Sequence, residues 1–508
     1  MFRRVLAVAG SIASGGLLLT TVVSGVGTAA VTATLVPLAV EAPDGPDIPG
    51  AAKACTSPFP VHTSTFFHCY TPAQIAAAYG VDKLHNAGLM GQGQTIVLVD
   101  SYGDPTAAND LKFFHDTFFK SLPDPNFTQL TPLSNPAANY TCTNSHGLSG
   151  SCSAVGWSEE AALDVEWSYA MAPLAHIVLL STPPAETLGV QGLPNLFKAM
   201  QIAIDTYPSG TVFSQSFGLA EDTFGGAALN QMQAFDETYQ NGINKGDTFL
   251  ASSGDEGNGG ASKQHKEGTV FSTNEVGFPA ISPLVTAVGG TQLMLGWKLA
   301  PTQANPLAYV SSATNTEALW NECGIFGGGN CVTGGGVSNF FAAPSWQSSQ
   351  ASVNGGARSI PDLSWNAAVN GGVQVYMTQY PNVIRSGWHI FGGTSASSPQ
   401  MAGIIALANQ TRGMAHKSPL GLLGPHIYVL GNADAASPDS SFIGNGTSFF
   451  RDIVPQTFIG ADGTVFTLNN NQWTDPAPPY FATPGYDMTT GFGSPRADRF
   501  VAALAGQP

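Results

Sequence analysis

Between residues 95 and 251, short apolar runs alternate with longer segments of helical periodicity, and this alternation narrows the fold more than any other feature. Thr95-Ile96-Val97-Leu98-Val99-Asp100, His176-Ile177-Val178-Leu179-Leu180, Thr211-Val212-Phe213-Ser214 and Thr248-Phe249-Leu250-Ala251 are too uniformly apolar for strands with one wet face. Residues 157–172, 192–206 and about 225–241 suit helices between them, and Pro173 closes the first. Strand and helix in turn predict an α/β fold, a mostly parallel central sheet flanked by helices on both faces. Active sites in such sheets lie at the carboxyl ends of the strands. Farther along, residues 398–411 read as a buried helix preceded by Gly392-Gly393-Thr394, and 432–490 as irregular chain.

The length of 508 residues and 43% apolar content support a large core, and wholesale disorder is excluded. Lys and Arg number 18 against 34 Asp and Glu, for a formal charge of -16. A nucleic-acid binder needs a basic face, so that partner class is excluded. Few cations also keep self-repulsion modest once the carboxylates are protonated, which suits an acidic environment.

Met1-Phe2-Arg3-Arg4, an apolar run to about Val26 and small residues Gly27-Thr28-Ala29-Ala30 describe a secretory signal peptide over 1–30, with an uncleaved anchor as the competing reading. Residues 31–68, rich in Ala, Pro and Gly, read as a linker or short pro-segment. The mature protein is expected to be secreted, extracellular and off the membrane. Cys55, Cys69, Cys142, Cys152, Cys323 and Cys331 form three close pairs in sequence, consistent with disulfides, although nearest-neighbour pairing is one of several connectivities.

Three segments can carry chemistry. In Phe391-Gly392-Gly393-Thr394-Ser395-Ala396-Ser397-Ser398-Pro399, small residues surround a serine at a helix start, where a substrate backbone can approach and free N–H groups are available. Alone, the segment also reads as a capped helix. Glu160 and Asp164 are four apart on a helix and share a face among apolar neighbours. Two such carboxyls titrate as a coupled pair if buried, and as a solvated acidic face if not. Asp255 follows a strand end in Ser252-Ser253-Gly254-Asp255, where a protonated carboxyl could donate to an oxyanion or an ordinary Asp could form a turn.

Together these segments resemble the sedolisin family, serine-carboxyl peptidases with a subtilisin-like fold. The match extends to Pro361-Asp362 and to Gly485-Tyr486-Asp487…Gly491-Phe492-Gly493-Ser494-Pro495, in family order, over a peptidase domain at 69–508. The resemblance implies Ser395 as nucleophile, Glu160 as general base, Asp164 as its orienting partner and Asp255 as an oxyanion donor, with Asp100 extending the acid network. It also implies one structural Ca²⁺, held by the side chains of Asp452 and Asp487 and the carbonyls of Ile453, Thr483 and Gly485. The implied function is a secreted, monomeric, acid-active endopeptidase acting on proteins or peptides. Thr483 and Phe217 depart from the family's common glycine and tryptophan, and the family's usual long prodomain has only about 35 residues here. Two rivals follow: an inactive, calcium-stabilised binding protein on a peptidase scaffold, and a neutral hydrolase with a histidine base, for which His389 is nearest in sequence to Ser395.

Overall fold

The computed structural model describes residues 36–37, 39–42, 55, 67–133, 153–182, 190–259, 274–303, 308–323, 331–378, 386–442, 448–472 and 477–507. The signal-peptide reading over 1–30, most of the 31–68 linker, and Cys142 and Cys152 lie outside the described residues. Eight strands form the central sheet: β1 (Thr95–Ser101), β2 (Asn126–Leu130), β3 (His176–Thr182), β4 (Val212–Gln215), β5 (Thr248–Ser252), β6 (Thr286–Met294), β7 (Thr316–Leu319) and β8 (Leu363–Asn366). Their spatial order is β7-β6-β5-β4-β1-β3-β2, with β8 also paired to β6. Every pairing is parallel except β6 with β7.

The strands are apolar throughout because both faces are covered. Ile96 and Leu98 of β1 pack with Ala161, Val165 and Trp167 of helix α1 (Ser153–Met171). Val97 and Val99 turn the other way, toward Leu196, Met200 and Ala203 of α2 (Leu193–Thr206). The period of two therefore sends Asp100 to the α1 side. The same rule puts Val212 and Ser214 of β4, and Leu250 and Ser252 of β5, on that side.

Two sequence expectations need correction. The helix expected over 225–241 is three pieces: a 3₁₀ segment (Glu221–Ala227), a short helix (Ala228–Gln233) and α3 (Asp236–Lys245). Gly225, at φ 69° and ψ -156°, interrupts the 3₁₀ segment, and Ala234 and Phe235 separate the two helices. The helix expected to begin at Ser398 begins earlier, as α4 (Thr394–Met414), so Ser395 lies in its first turn rather than before it. Gly393 makes this entry at φ 91° and ψ 161°, a conformation open to glycine. α4 lies close against α1: a Cβ on Gly403 would stand 2.5 Å from the Met171 Cβ.

The region read as irregular includes an antiparallel pair, Gln456–Ile459 with Val465–Leu468. Disulfides join Cys55 to Cys69 and Cys323 to Cys331, the sequence neighbours. Among the described residues no helix is long and apolar enough to cross a membrane.

Candidate active site

The carboxyl ends of β1, β4 and β5, with the facing turns of α1 and α4, gather the chemistry-bearing side chains. Asp100, Glu160, Asp164, Asp255 and Ser395 are all fully buried. The α-helical spacing of Glu160 and Asp164 turns both toward this point, and the alternation along β1 brings Asp100 to meet them.

Asp164 accepts a hydrogen bond from Ser216 Oγ at 2.9 Å, one residue beyond β4. Burial holds its carboxyl well above the usual carboxylate range, and the charges of Asp100 and Glu160 raise it further. Asp100 is likewise held well above its usual range by burial, and neither of its carboxyl oxygens has a hydrogen-bond partner. The charges of Asp100 and Glu160 both oppose ionisation at Asp164, so simultaneous ionisation of these three buried acids is disfavoured. Glu160 Oε2 accepts the backbone N–H of Ala39 at 2.7 Å.

Asp255 is tied to the start of α4. Its Oδ1 accepts both the backbone N–H and the hydroxyl of Thr394, each at 2.7 Å. Its Oδ2 is buried without a partner. Burial first, then the charge of Glu256, push this carboxyl well above its ordinary range, and the charge of Glu160 adds to the shift. Thr394 is also held by Ser252 Oγ, which donates to its carbonyl at 3.0 Å. Asp255 is thereby fixed to the residue preceding Ser395. Ser395 Oγ is buried and makes no hydrogen bond to a histidine or to any other described group. His389 lies instead 2.6 Å from Glu41.

A profile of the subtilase family matches residues 131–419, more than half of the chain. Kumamolisin of Bacillus sp. (strain MN-32) is 30% identical over 444 residues, covering 86% of this chain and 63% of kumamolisin. Sedolisin of Pseudomonas sp. (strain 101) is 35% identical over 178 residues, 34% of this chain and 26% of sedolisin. The chain belongs to the subtilase family, in its sedolisin branch. It spans less than two thirds of the length of these curated relatives. A solved structure of Pseudomonas sedolisin, a serine-carboxyl proteinase complexed with two molecules of pseudo-iodotyrostatin, superposes with a TM-score of 0.61 at 23% identity. It covers 87% of this chain and 99% of that one, and shows the same subtilisin-like fold.

Within this sedolisin fold, the sequence reading did not name Ser216, Thr394 or Ala39 as partners of the acids. Ser216 was within view, in Ser214-Gln215-Ser216-Phe217-Gly218, because its parity with Val212 and Ser214 predicts the α1 side. Ala39 has no such local signal, since its partner lies 121 residues away.

The residues expected to hold calcium make a separate set of contacts. Asp452 Oδ1 accepts the N–H of Gly485 at 3.0 Å, and Asp487 Oδ2 accepts that of Thr483 at 3.0 Å. Both aspartates are buried, and burial chiefly, with the Asp487 charge adding, pushes Asp452 up to about 7. Among the described residues there is no group of three or more His, Cys, Asp or Glu side chains that could hold a metal. The proposed donor set has two such side chains and three carbonyls, so it does not depend on a larger carboxylate cluster.

Proposed function

We propose that this protein is a secreted, acid-active serine-carboxyl endopeptidase. Ser395 Oγ attacks the peptide carbonyl carbon while Glu160 takes the hydroxyl proton, with Asp164 orienting Glu160. Asp255, protonated, donates from Oδ2 to the developing oxyanion. Glu160 then returns the proton to the leaving amide nitrogen, the acyl–Ser395 ester forms, and water attacks it by the same steps in reverse. A carboxylate base works in acid, where a histidine would already be charged. The observation that carries this reading is Asp255: one oxygen is anchored by Thr394, the residue preceding Ser395, and the other is buried without a hydrogen-bond partner in a carboxyl that burial pushes well above its ordinary range. Secretion is supported by the basic, apolar and small-residue pattern at the N-terminus.

Glu160→Gln tests the proposal, because the amide keeps the shape and cannot accept the proton. Peptide hydrolysis between about pH 3 and 6 should fall about 10²- to 10⁴-fold in kcat, with a smaller change in KM. A variant within tenfold of the wild type would remove Glu160 from the base role. A wild type that binds peptides and hydrolyses none would favour the inactive binding scaffold instead.

We also propose a structural Ca²⁺ at Asp452, Ile453, Thr483, Gly485 and Asp487. Two buried, mutually repelling carboxylates beside backbone carbonyls are hard oxygen donors of the kind that calcium takes. The ion would neutralise their repulsion and tie the loop at 483–487 to residues 452–453. Chelation should lower the thermal midpoint by about 5–10 °C. Asp487→Asn should melt at the same temperature with and without calcium. An unchanged wild-type midpoint on chelation, measured calorimetrically, would exclude the site.

A further inference from the structure

A short ribbon upstream of the peptidase region lies across the candidate site. Val36 and Pro37 pair antiparallel with Gly218 and Phe217. Val40 and Glu41 pair antiparallel with Gly392 and Phe391, and Ala42 N donates to Ile390 O at 2.8 Å. Between these two edges, Ala39 N donates to Glu160 Oε2 at 2.7 Å. The Gly218 edge follows Ser216, which holds Asp164, and the Gly392 edge runs directly into Thr394 and Ser395.

The ribbon is therefore placed as a substrate strand would be. In the proposed reaction, on which this inference rests, Glu160 delivers a proton to the leaving amide nitrogen, and the amide nitrogen held at that carboxylate is that of Ala39. Ala39 thus stands for the first residue on the leaving side of the cleaved bond, and Glu41 for the third.

We propose that His389 makes this site selective for an acidic side chain at the third residue on the leaving side. Glu41 Oε1 lies 2.6 Å from His389 Nδ1. His389 is 4% exposed, on the strand Gly387–Gly392 that pairs with the ribbon, with the Phe391 ring 6.4 Å away between centroids. Glu159 also faces this pair, its carboxyl pushed up to about 8 by burial and the charges of Glu41 and Glu160, against the opposing charge of His389. In acid, Glu159 is thus neutral and an imidazolium at His389 presents the pocket's charge. A carboxylate there gains a charge-assisted hydrogen bond. A glutamine keeps the shape and loses the charge, and a lysine meets repulsion.

The test uses peptides containing Val-Pro-Leu-Ala-Val-Glu, cleaved between Leu and Ala, with Glu, Gln or Lys at the last position. The wild type should cleave the Glu peptide about 5- to 20-fold faster in kcat/KM than the Gln peptide, with the Lys peptide slowest. His389→Gln should bring the Glu/Gln ratio within about twofold. The ribbon competes with every peptide alike, so the ratio is unaffected by it. A wild-type ratio near one, or a ratio unchanged in His389→Gln, would overturn the proposal. If His389→Gln does not fold, the wild-type peptide series alone decides. Binding of the same peptides to Ser395→Ala separates the two claims. A preference for Glu in Kd without any wild-type hydrolysis would leave the His389 assignment standing and sink the reaction. Equal affinities would sink the assignment.

Discussion

Ser395→Ala should abolish peptide hydrolysis, with kcat falling about 10⁴- to 10⁶-fold, while the protein stays folded. The hydroxyl makes no hydrogen bond, so its removal breaks no polar contact. Alanine also suits the first turn of α4, a helix of 21 residues whose entry is set by Gly393 and by the contacts of Thr394. The thermal midpoint should stay within about 2 °C of the wild type, because a surface-free change of one oxygen is worth less than about 1 kcal/mol. Activity and melting measured on the same preparation separate lost chemistry from lost structure. Retention of more than about a hundredth of the activity would mean that another group attacks the substrate.

The second large effect is on stability. Many buried carboxyls are held above their ordinary range, chiefly by burial: Glu159 to about 8, Glu221 and Glu322 to about 7, Glu275 to about 9, with Asp100, Asp164 and Asp255 raised as well. In the unfolded chain they titrate near 4. Between these limits the folded state binds more protons, so stability falls as pH rises. The contribution is complete below about pH 4 and is lost progressively as pH climbs through 6 to 9. One carboxyl raised by three units is worth on the order of 4 kcal/mol, and several act together. The opposing acid term is small, with 18 Lys and Arg in the chain. The thermal midpoint at pH 8 should therefore lie at least about 10 °C below that at pH 4. A midpoint that rises over this interval would show that these groups are ionised and solvated in the folded protein.

The parts of this architecture that were legible in the sequence are those governed by short-range periodicity. Thr95–Ser101 is apolar without alternation because helices cover both its faces, so its burial and its terminal acid could be read directly. Glu160 and Asp164 share a face by helix geometry alone, and Asp255 follows from the position of its strand end. The failures are of two physical kinds. Gly225, at positive φ, takes the start of the expected helix out of α geometry and leaves it in a 3₁₀ segment, while Ala234 and Phe235 divide the rest. The strands at 36–37 and 40–41 read as linker because strand pairing is set by distant edges: Val36 and Val40 meet Gly218 and Gly392, and nothing in the local sequence names those edges. Thr394 and Ser216 likewise look like ordinary helix-start and loop residues until β5 and α1 are brought beside them.

The most direct test of the central claim is covalent. A peptide aldehyde added in acid should form a hemiacetal with the nucleophilic oxygen, stabilised by the donor that serves the oxyanion. A structure of the adduct should show a bond from Ser395 Oγ to the aldehyde carbon, with the new oxygen within about 3 Å of Asp255 Oδ2 and Glu160 at hydrogen-bonding distance from Ser395 Oγ. An aldehyde bound without a bond to Ser395, or an adduct oxygen turned away from Asp255, would contradict the account.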